Sequence, residues 1–302
     1  MRGKRVPVKR FMRHALNLCF DACRYPKTAA NFWAACISLL ACLACAQAAP
    51  LAAPADTIAV DVELVLAVDI SHSMDEKEFA LQRAGYVKAL RHPDFINAVR
   101  SGVTGRIALA YFEWAGTVRD DAIIAWQVID DAESAEAFAD KIEARPFRSF
   151  RGTSISSALA FGAKLLDGAA FDAKRSVIDI SGDGPNNIGM PVTTTRDAAI
   201  AKGIVINGLP ILISPSPSFS HLDQYYAECV TGGPGSFVLP VYAASEFVTA
   251  IRRKLVLEVS GVADPKAGPG YVSVDAAAPV DCLQGERGRR FFSDPYFPEL
   301  DR

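Results

Sequence analysis

The sequence predicts an α/β fold: a doubly wound, mainly parallel sheet with one antiparallel edge strand and helices on both faces. Three observations predict it. Apolar, β-rich runs alternate with amphipathic segments through residues 61–258, the pattern of a parallel sheet crossed by helices. The first of these runs, Glu63–Val68, shows little alternation, as expected of a central strand covered on both faces. Two later runs, Arg106–Trp114 and Ala122–Val128, are joined by a turn around Gly116–Asp121. That turn is short enough for a hairpin and supplies the antiparallel edge.

In chain order, residues 49–60, APLAAPADTIAV, read as an Ala/Pro linker, and Glu63–Val68 is the first strand. Glu76–Leu90 places Phe79, Ala80, Arg83, Ala84, Val87 and Leu90 at helical spacing, and Pro93–Val99 continues as a short helix. After the hairpin come a helix over Ala132–Ala144, the loop RPFRSFRGT and a helix over Ser154–Leu166. Ser176–Ser181 is a strand closing on Gly-Asp-Gly. Pro191–Lys202 is a helix with proline at its favoured first position. Then follow a strand over Ile204–Ile213, the loop SPSPSFSH and a helix over His221–Val230. A strand over Ser236–Pro240 and a helix over Ala244–Glu258 complete the domain, 61–258. Residues 259–302 form a C-terminal extension rich in Gly and Pro, without a clear period.

The head of the chain differs from the rest. Residues 1–48 hold eight Lys/Arg and one acidic residue, Asp21. Removing these from totals of 32 and 34 leaves 24 basic and 33 acidic residues in 49–302, a net charge of −9 with His neutral. The basic head precedes the apolar run Phe32–Ala46 and a small-residue site at Ala46-Gln47-Ala48, which together read as a secretory signal cut near Ala48. The run is shorter than the ~20 residues of a spanning helix. An uncleaved anchor is the main alternative, lipidation at Cys42 is a further one, and translation from Met12 would shorten the head. Five of seven cysteines lie in this head, leaving Cys229 and Cys282. An even pair in an exported chain suggests a disulfide; two buried thiols are the plain alternative. The acidic remainder argues against nucleic acid, which needs a basic surface, and contact with a membrane would come only through the anchor or lipid.

Ligands of open parallel sheets bind at the carboxyl ends of strands, and three polar sets fall there. LVLAVDISHSM ends in Asp69, Ser71 and Ser73; RGTSISSAL carries Gly152-Thr153; VIDISGDG ends at Asp183. Two carboxylates and three hydroxyls are the donors hard divalent cations take. Taken singly, each set has a plainer reading. Ser73 or Asp75 is a natural N-cap, and Asp75 with Glu78 gives a capping-box pattern; Thr153 could cap Ser154–Leu166, and Asp183 could be a turn residue. Their placement at one sheet edge favours a metal site.

These three segments, in this order, resemble the metal-ion-dependent adhesion motif of von Willebrand factor type A (vWA) domains, Asp-x-Ser-x-Ser with a later Thr and Asp. The resemblance covers residues 61–258, and in detail the chain is most similar to an exported bacterial branch without an assigned function. It implies a Rossmann-like α/β sandwich, with Asp69, Ser71, Ser73, Thr153 and Asp183 as metal residues and Asp183 acting through water. It also implies a protein partner whose Asp or Glu carboxylate fills an open metal position. Magnesium fits, since it keeps waters; manganese or calcium could substitute. SGDGPNN stands where many relatives have Thr-Asp-Gly, so Ser181 and Gly182 alter the loop while the Asp is kept.

Around this edge, Glu113, Arg151 and Asn186 are candidates for a partner rim, each with a plain reading as strand end, loop charge or turn former. Asp179, inside a strand, reads as a paired buried charge or as the mark of a strand facing a polar loop. Tyr225, Tyr226 and Cys229 read as core and disulfide. The chain lacks a G-x-S-x-G elbow, a P-loop and an H-E-x-x-H motif, and His92 and His221 have no visible nucleophile partner. An exported binding module is therefore expected rather than an enzyme. The alternatives are metal-assisted hydrolysis or phosphoryl transfer, with Asp183 or Glu113 as base, and a structural domain with a vestigial site.

Overall fold

A computed structural model describes residues 57–72, 76–214, 219, 221–261 and 280–292. The signal segment 1–48, the greater part of the linker, Ser73 and Asp75 lie outside the described residues.

Five strands form the main sheet in the order β4-β3-β2-β6-β7. They are β2 (Glu63–Asp69), β3 (Ile107–Trp114), β4 (Val118–Ile129), β6 (Ser176–Gly182) and β7 (Val205–Pro210). β2 pairs in parallel with both β3 and β6, β6 pairs in parallel with β7, and β3 pairs antiparallel with β4 at the edge. The chain leaves β2 towards β3 on one side and later returns as β6 on the other. The carboxyl end of β2 is thus the point where strand order reverses.

Helices cover both faces. α1 (Glu76–Leu90), α2 (Pro93–Arg100), α3 (Ala132–Glu143) and α7 (Phe247–Ser260) pack on one face, against Leu64, Leu66 and Val68. α4 (Ile155–Asp167), α5 (Val192–Ile200) and α6 (Leu222–Tyr225) pack on the other, against Val65 and Ala67. Every residue of β2 is buried, which is why its sequence shows no polar alternation. Among the described residues no helix is long and apolar enough to cross a membrane.

The structure departs from the sequence reading in four places. Ile58–Val60, the end of the expected linker, is a short strand, β1, paired in parallel with β5 (Phe171–Ala173). Ser236–Pro240 is not a ladder strand: it runs beside β7 through single bridges, with Gly208 N–H donating to Phe237 O at 3.0 Å and Leu239 N–H to Gly208 O at 2.9 Å. The Gly-Gly-Pro-Gly turn before it and Pro240, which has no N–H, stop a regular ladder from forming. The expected helix over His221–Val230 divides into α6 and a π-helical turn, Tyr226–Val230. The extension contains a helix, α8 (Gln284–Phe292).

Candidate metal centre

β2 delivers Asp69 to the sheet edge on the same side as Val65 and Ala67, where its side chain is fully buried. The Ser71 amide donates to Asp69 Oδ1 at 2.7 Å. The other oxygen, Oδ2, is buried and has no hydrogen-bond partner among the described residues. Burial first, and the nearby Asp183 carboxylate second, push the Asp69 carboxyl well above the usual carboxylate range; the Ser71 backbone and side chain and the Asp183 backbone pull the other way.

Two loops close on this end of β2. Ser71 and Phe150 form a parallel bridge, with Phe150 N–H donating to Ile70 O at 3.2 Å and His72 N–H to Phe150 O at 2.9 Å. This anchors the loop three residues before Thr153. Gly152 holds φ +85°, a left-handed turn that glycine adopts without strain, and Thr153 follows, buried. The α4 cap is Ser154, whose Oγ accepts from Ser157 N–H at 3.3 Å. Capping therefore does not occupy Thr153. The Thr153 amide donates to Asn187 Oδ1 at 2.9 Å, and Thr153 O accepts from Asn187 N–H at 2.8 Å, which ties the Asp183 loop to the Thr153 loop. A Cβ placed on Gly184 would lie 3.9 Å from Thr153 Oγ1, so the Asp183-Gly184 turn faces the threonine hydroxyl.

The structure thus brings Asp69, Ser71, Thr153 and Asp183 to one edge. Among the described residues no three His, Cys, Asp or Glu side chains gather as a metal cluster. A cation here would rest on two carboxylates and neutral hydroxyls. The site fits such a cation: a buried carboxylate oxygen is left unpaired beside a second carboxylate, a combination that costs free energy until a positive charge joins it.

The rim residues fall differently. Arg151 is exposed beside Thr153. Glu113 is buried instead, bound to Arg83 at 2.9 Å, Arg145 at 3.0 Å and the Tyr111 hydroxyl at 3.0 Å. It joins α1, β3 and the loop that leads to Thr153, and two guanidinium groups hold it as an ion pair rather than a free base. Asn186 is also buried rather than on the rim. Its Oδ1 accepts from Ser156 N–H at 2.9 Å and its Nδ2 donates to Met190 O at 3.1 Å, so it is spent on holding the loop.

Sequence reasoning placed Tyr226 in the core but missed its position beside Asp69. It is fully buried and its hydroxyl has no hydrogen-bond partner among the described residues. A Cβ on Gly182 would stand 2.7 Å from Tyr226 Oη and 2.8 Å from Asp69 Oδ2. The two unpaired oxygens therefore flank one glycine, and a side chain there would collide with both. Tyr226 lies on the π turn, whose spacing a 3.6-residue period does not reveal. Cys229, in the same turn, is joined to Cys282 by a disulfide.

A five-stranded sheet in this order, with three oxygen-bearing segments at the edge where strand order reverses, is the α/β fold that the resemblance to vWA domains implies. Residues 59–263 match the family described as protein of unknown function DUF1194, and the chain belongs to that family. No curated protein sequence matches it. Similar solved structures include proximal thread matrix protein 1 of the mussel byssus with a zinc-occupied MIDAS motif, at 16% identity and TM-score 0.49, covering 68% of this chain and 49% of that one. The von Willebrand factor type A protein of Catenulispora acidiphila is 15% identical at TM-score 0.46, with 67% of this chain and 43% of that one covered. BatB of Bacteroides thetaiotaomicron is 16% identical at TM-score 0.45, with 67% of this chain and 100% of that one covered. The chain spans less than half the length of the first two.

Proposed function

We propose that this protein is an exported binding module that holds a protein partner through a divalent cation at the β2 edge. One observation carries the reading: Asp69 Oδ2 is buried, unpaired and set against Asp183. Asp69, Ser71, Ser73 and Thr153 would hold the cation, with Asp183 acting through water. Magnesium suits a set with few charged ligands and retained waters, and manganese or calcium can replace it. So few charges leave the cation electrophilic and ready for a carboxylate from outside, an Asp or Glu of the partner. Exposed Arg151 adds favourable charge for an acidic partner. The pairing of Glu113 with Arg83 and Arg145 occupies one of the two candidate bases, Asp183 or Glu113, for metal-assisted hydrolysis. The signal-like head accounts for export to the periplasm or beyond.

The test is capture from the native envelope fraction by the immobilised protein, in magnesium and in chelator. A partner retained in magnesium, released by chelator and absent from an Asp69→Ala bait is expected. Equal retention by the wild type and Asp69→Ala would overturn the reading.

A further inference from the structure

The chain beyond α7 comes back to the metal edge. Cys282 is bonded to Cys229, 53 residues earlier, across a Cα–Cα distance of 5.5 Å. Beside it, Val280 N–H donates to Glu228 Oε2 at 2.9 Å. Both attachments grip the π turn that carries Tyr226. α8 then lies against the Asp183 loop. A Cβ on Gly285 would stand 2.2 Å from Asn186 O, so only glycine permits this approach of helix to loop. One residue on, Glu286 Oε1 accepts from Asn186 Nδ2 at 2.7 Å. Asn186 N–H in turn donates to the Tyr225 hydroxyl at 3.1 Å. Asn186 follows Asp183 by three residues, and Tyr225 precedes Tyr226.

We infer that residues 280–292 are a disulfide-locked brace that positions the metal centre, setting Asp183 through Asn186 and the Tyr226 hydroxyl through the π turn. The inference rests on the metal reading above and adds to it. Glu286 is a positioning residue: it acts on the site only through Asn186. Two features separate a brace from ordinary packing. The polar contact between α8 and the loop falls on the Asn186 side chain, which also ties the loop to α4 through Ser156, while the Asn186 backbone N–H ties it to Tyr225. The π turn begins at Tyr226, whose buried hydroxyl is unpaired among the described residues and stands beside Asp69 Oδ2, a costly arrangement that a water or cation at the site would relieve.

The test is calorimetric titration of magnesium into the metal-free wild type, Glu286→Ala, Glu286→Gln and the double variant Cys229→Ser/Cys282→Ser. Outer contacts of metal ligands are worth about 10- to 100-fold in affinity. Glu286, one step further from the ligands, is expected to fall at the low end of that range: Glu286→Ala and the double serine variant should bind magnesium about tenfold more weakly. Glu286→Gln, whose amide oxygen can accept the same bond, is expected to stay close to the wild type. The metal-free melting temperature of Glu286→Ala should move far less than its affinity. Wild-type affinity in Glu286→Ala, or equal weakening in Glu286→Gln and Glu286→Ala, overturns the brace while leaving the metal reading intact. The Glu286 pair decides the question even if the double serine variant does not fold. A wild type that takes up no magnesium overturns both.

Discussion

Asp69 is placed where a carboxylate is least stable on its own. It is buried, one oxygen is unpaired, and Asp183 repels it. A neutral isostere removes the repulsion while keeping the shape. Asp69→Asn is therefore expected to raise the melting temperature in chelator, by roughly 2–4 °C for each kcal/mol relieved in a domain of this size. The same variant should lose the magnesium response. Thermal melts in chelator and in magnesium check both halves, and a fall in chelator as large as that of Asp69→Ala would refute the account. A residue whose replacement stabilises the resting protein is held for function rather than for folding. At this scale the sequence was informative where chemistry is written in residue type, and poor where it depends on neighbours. Asp69, Ser71, Thr153 and Asp183 could be picked out by type and position. Glu113 and Asn186 could not be sorted between rim and interior, because their partners Arg83, Arg145 and Ser156 are set by loop paths that leave no local pattern.

The elements repeat that division. β2 could be delimited from its unbroken apolar run and α2 from its apolar spacing; α1 keeps its expected bounds, although its buried face takes in Gln82, Gly85 and Tyr86 while Ala80 is exposed. The helix over His221–Val230 could be placed, but not its change to a π turn, which breaks the 3.6-residue period; α8 was missed, because it follows a Gly/Pro-rich stretch and has few apolar residues. Asp179 on β6 admits two readings from sequence, and α7 supplies the answer. Lys254 and Glu258, one turn apart on α7, meet Asp179 in the core, with Lys254 Nζ 2.5 Å from Glu258 Oε1 and in an ion pair with Asp179. Tyr86 of α1 and Arg175 also act on this cluster, and Asn207 of β7 donates to Glu258 Oε1 at 3.3 Å. Burial first and Asp179 second push the Glu258 carboxyl up to about 8, against the pull of Lys254. In the unfolded chain a glutamate titrates near ~4.3. Between those values the folded protein keeps a proton that the unfolded chain has released, so stability falls as pH rises through the window. Asp179, also raised, adds the same sign. Urea denaturation of the metal-free protein at intervals from pH 5 to pH 8.5 should show this fall, and Glu258→Gln should flatten it. Equal slopes in the two proteins would show that α7 is not held in this way.

For the whole molecule, the decisive feature is that the candidate ligands come from segments far apart in sequence. Asp69 ends β2, the central strand; Thr153 immediately precedes the cap of α4 on one face; Asp183 follows β6, which carries Asp179 and its ion pair with Lys254 of α7 on the other face. A cation bound among them joins both layers and the middle of the sheet, so unfolding any one of these parts destroys its site. Its binding free energy therefore appears in global unfolding rather than in a local rearrangement. At a magnesium concentration a hundred times the dissociation constant the gain is about 2.7 kcal/mol. At roughly 2–4 °C per kcal/mol, that is a rise in melting temperature of roughly 5–10 °C. The rise should be seen equally by far-UV circular dichroism and tryptophan fluorescence, because buried Trp114 lies on β3 beside Asp69 and the backbone signal samples the whole fold. It should be absent from Asp69→Ala. A shift seen in fluorescence alone would mean that the cation orders only the sheet edge. A shift of the same size in Asp69→Ala would mean that it binds elsewhere.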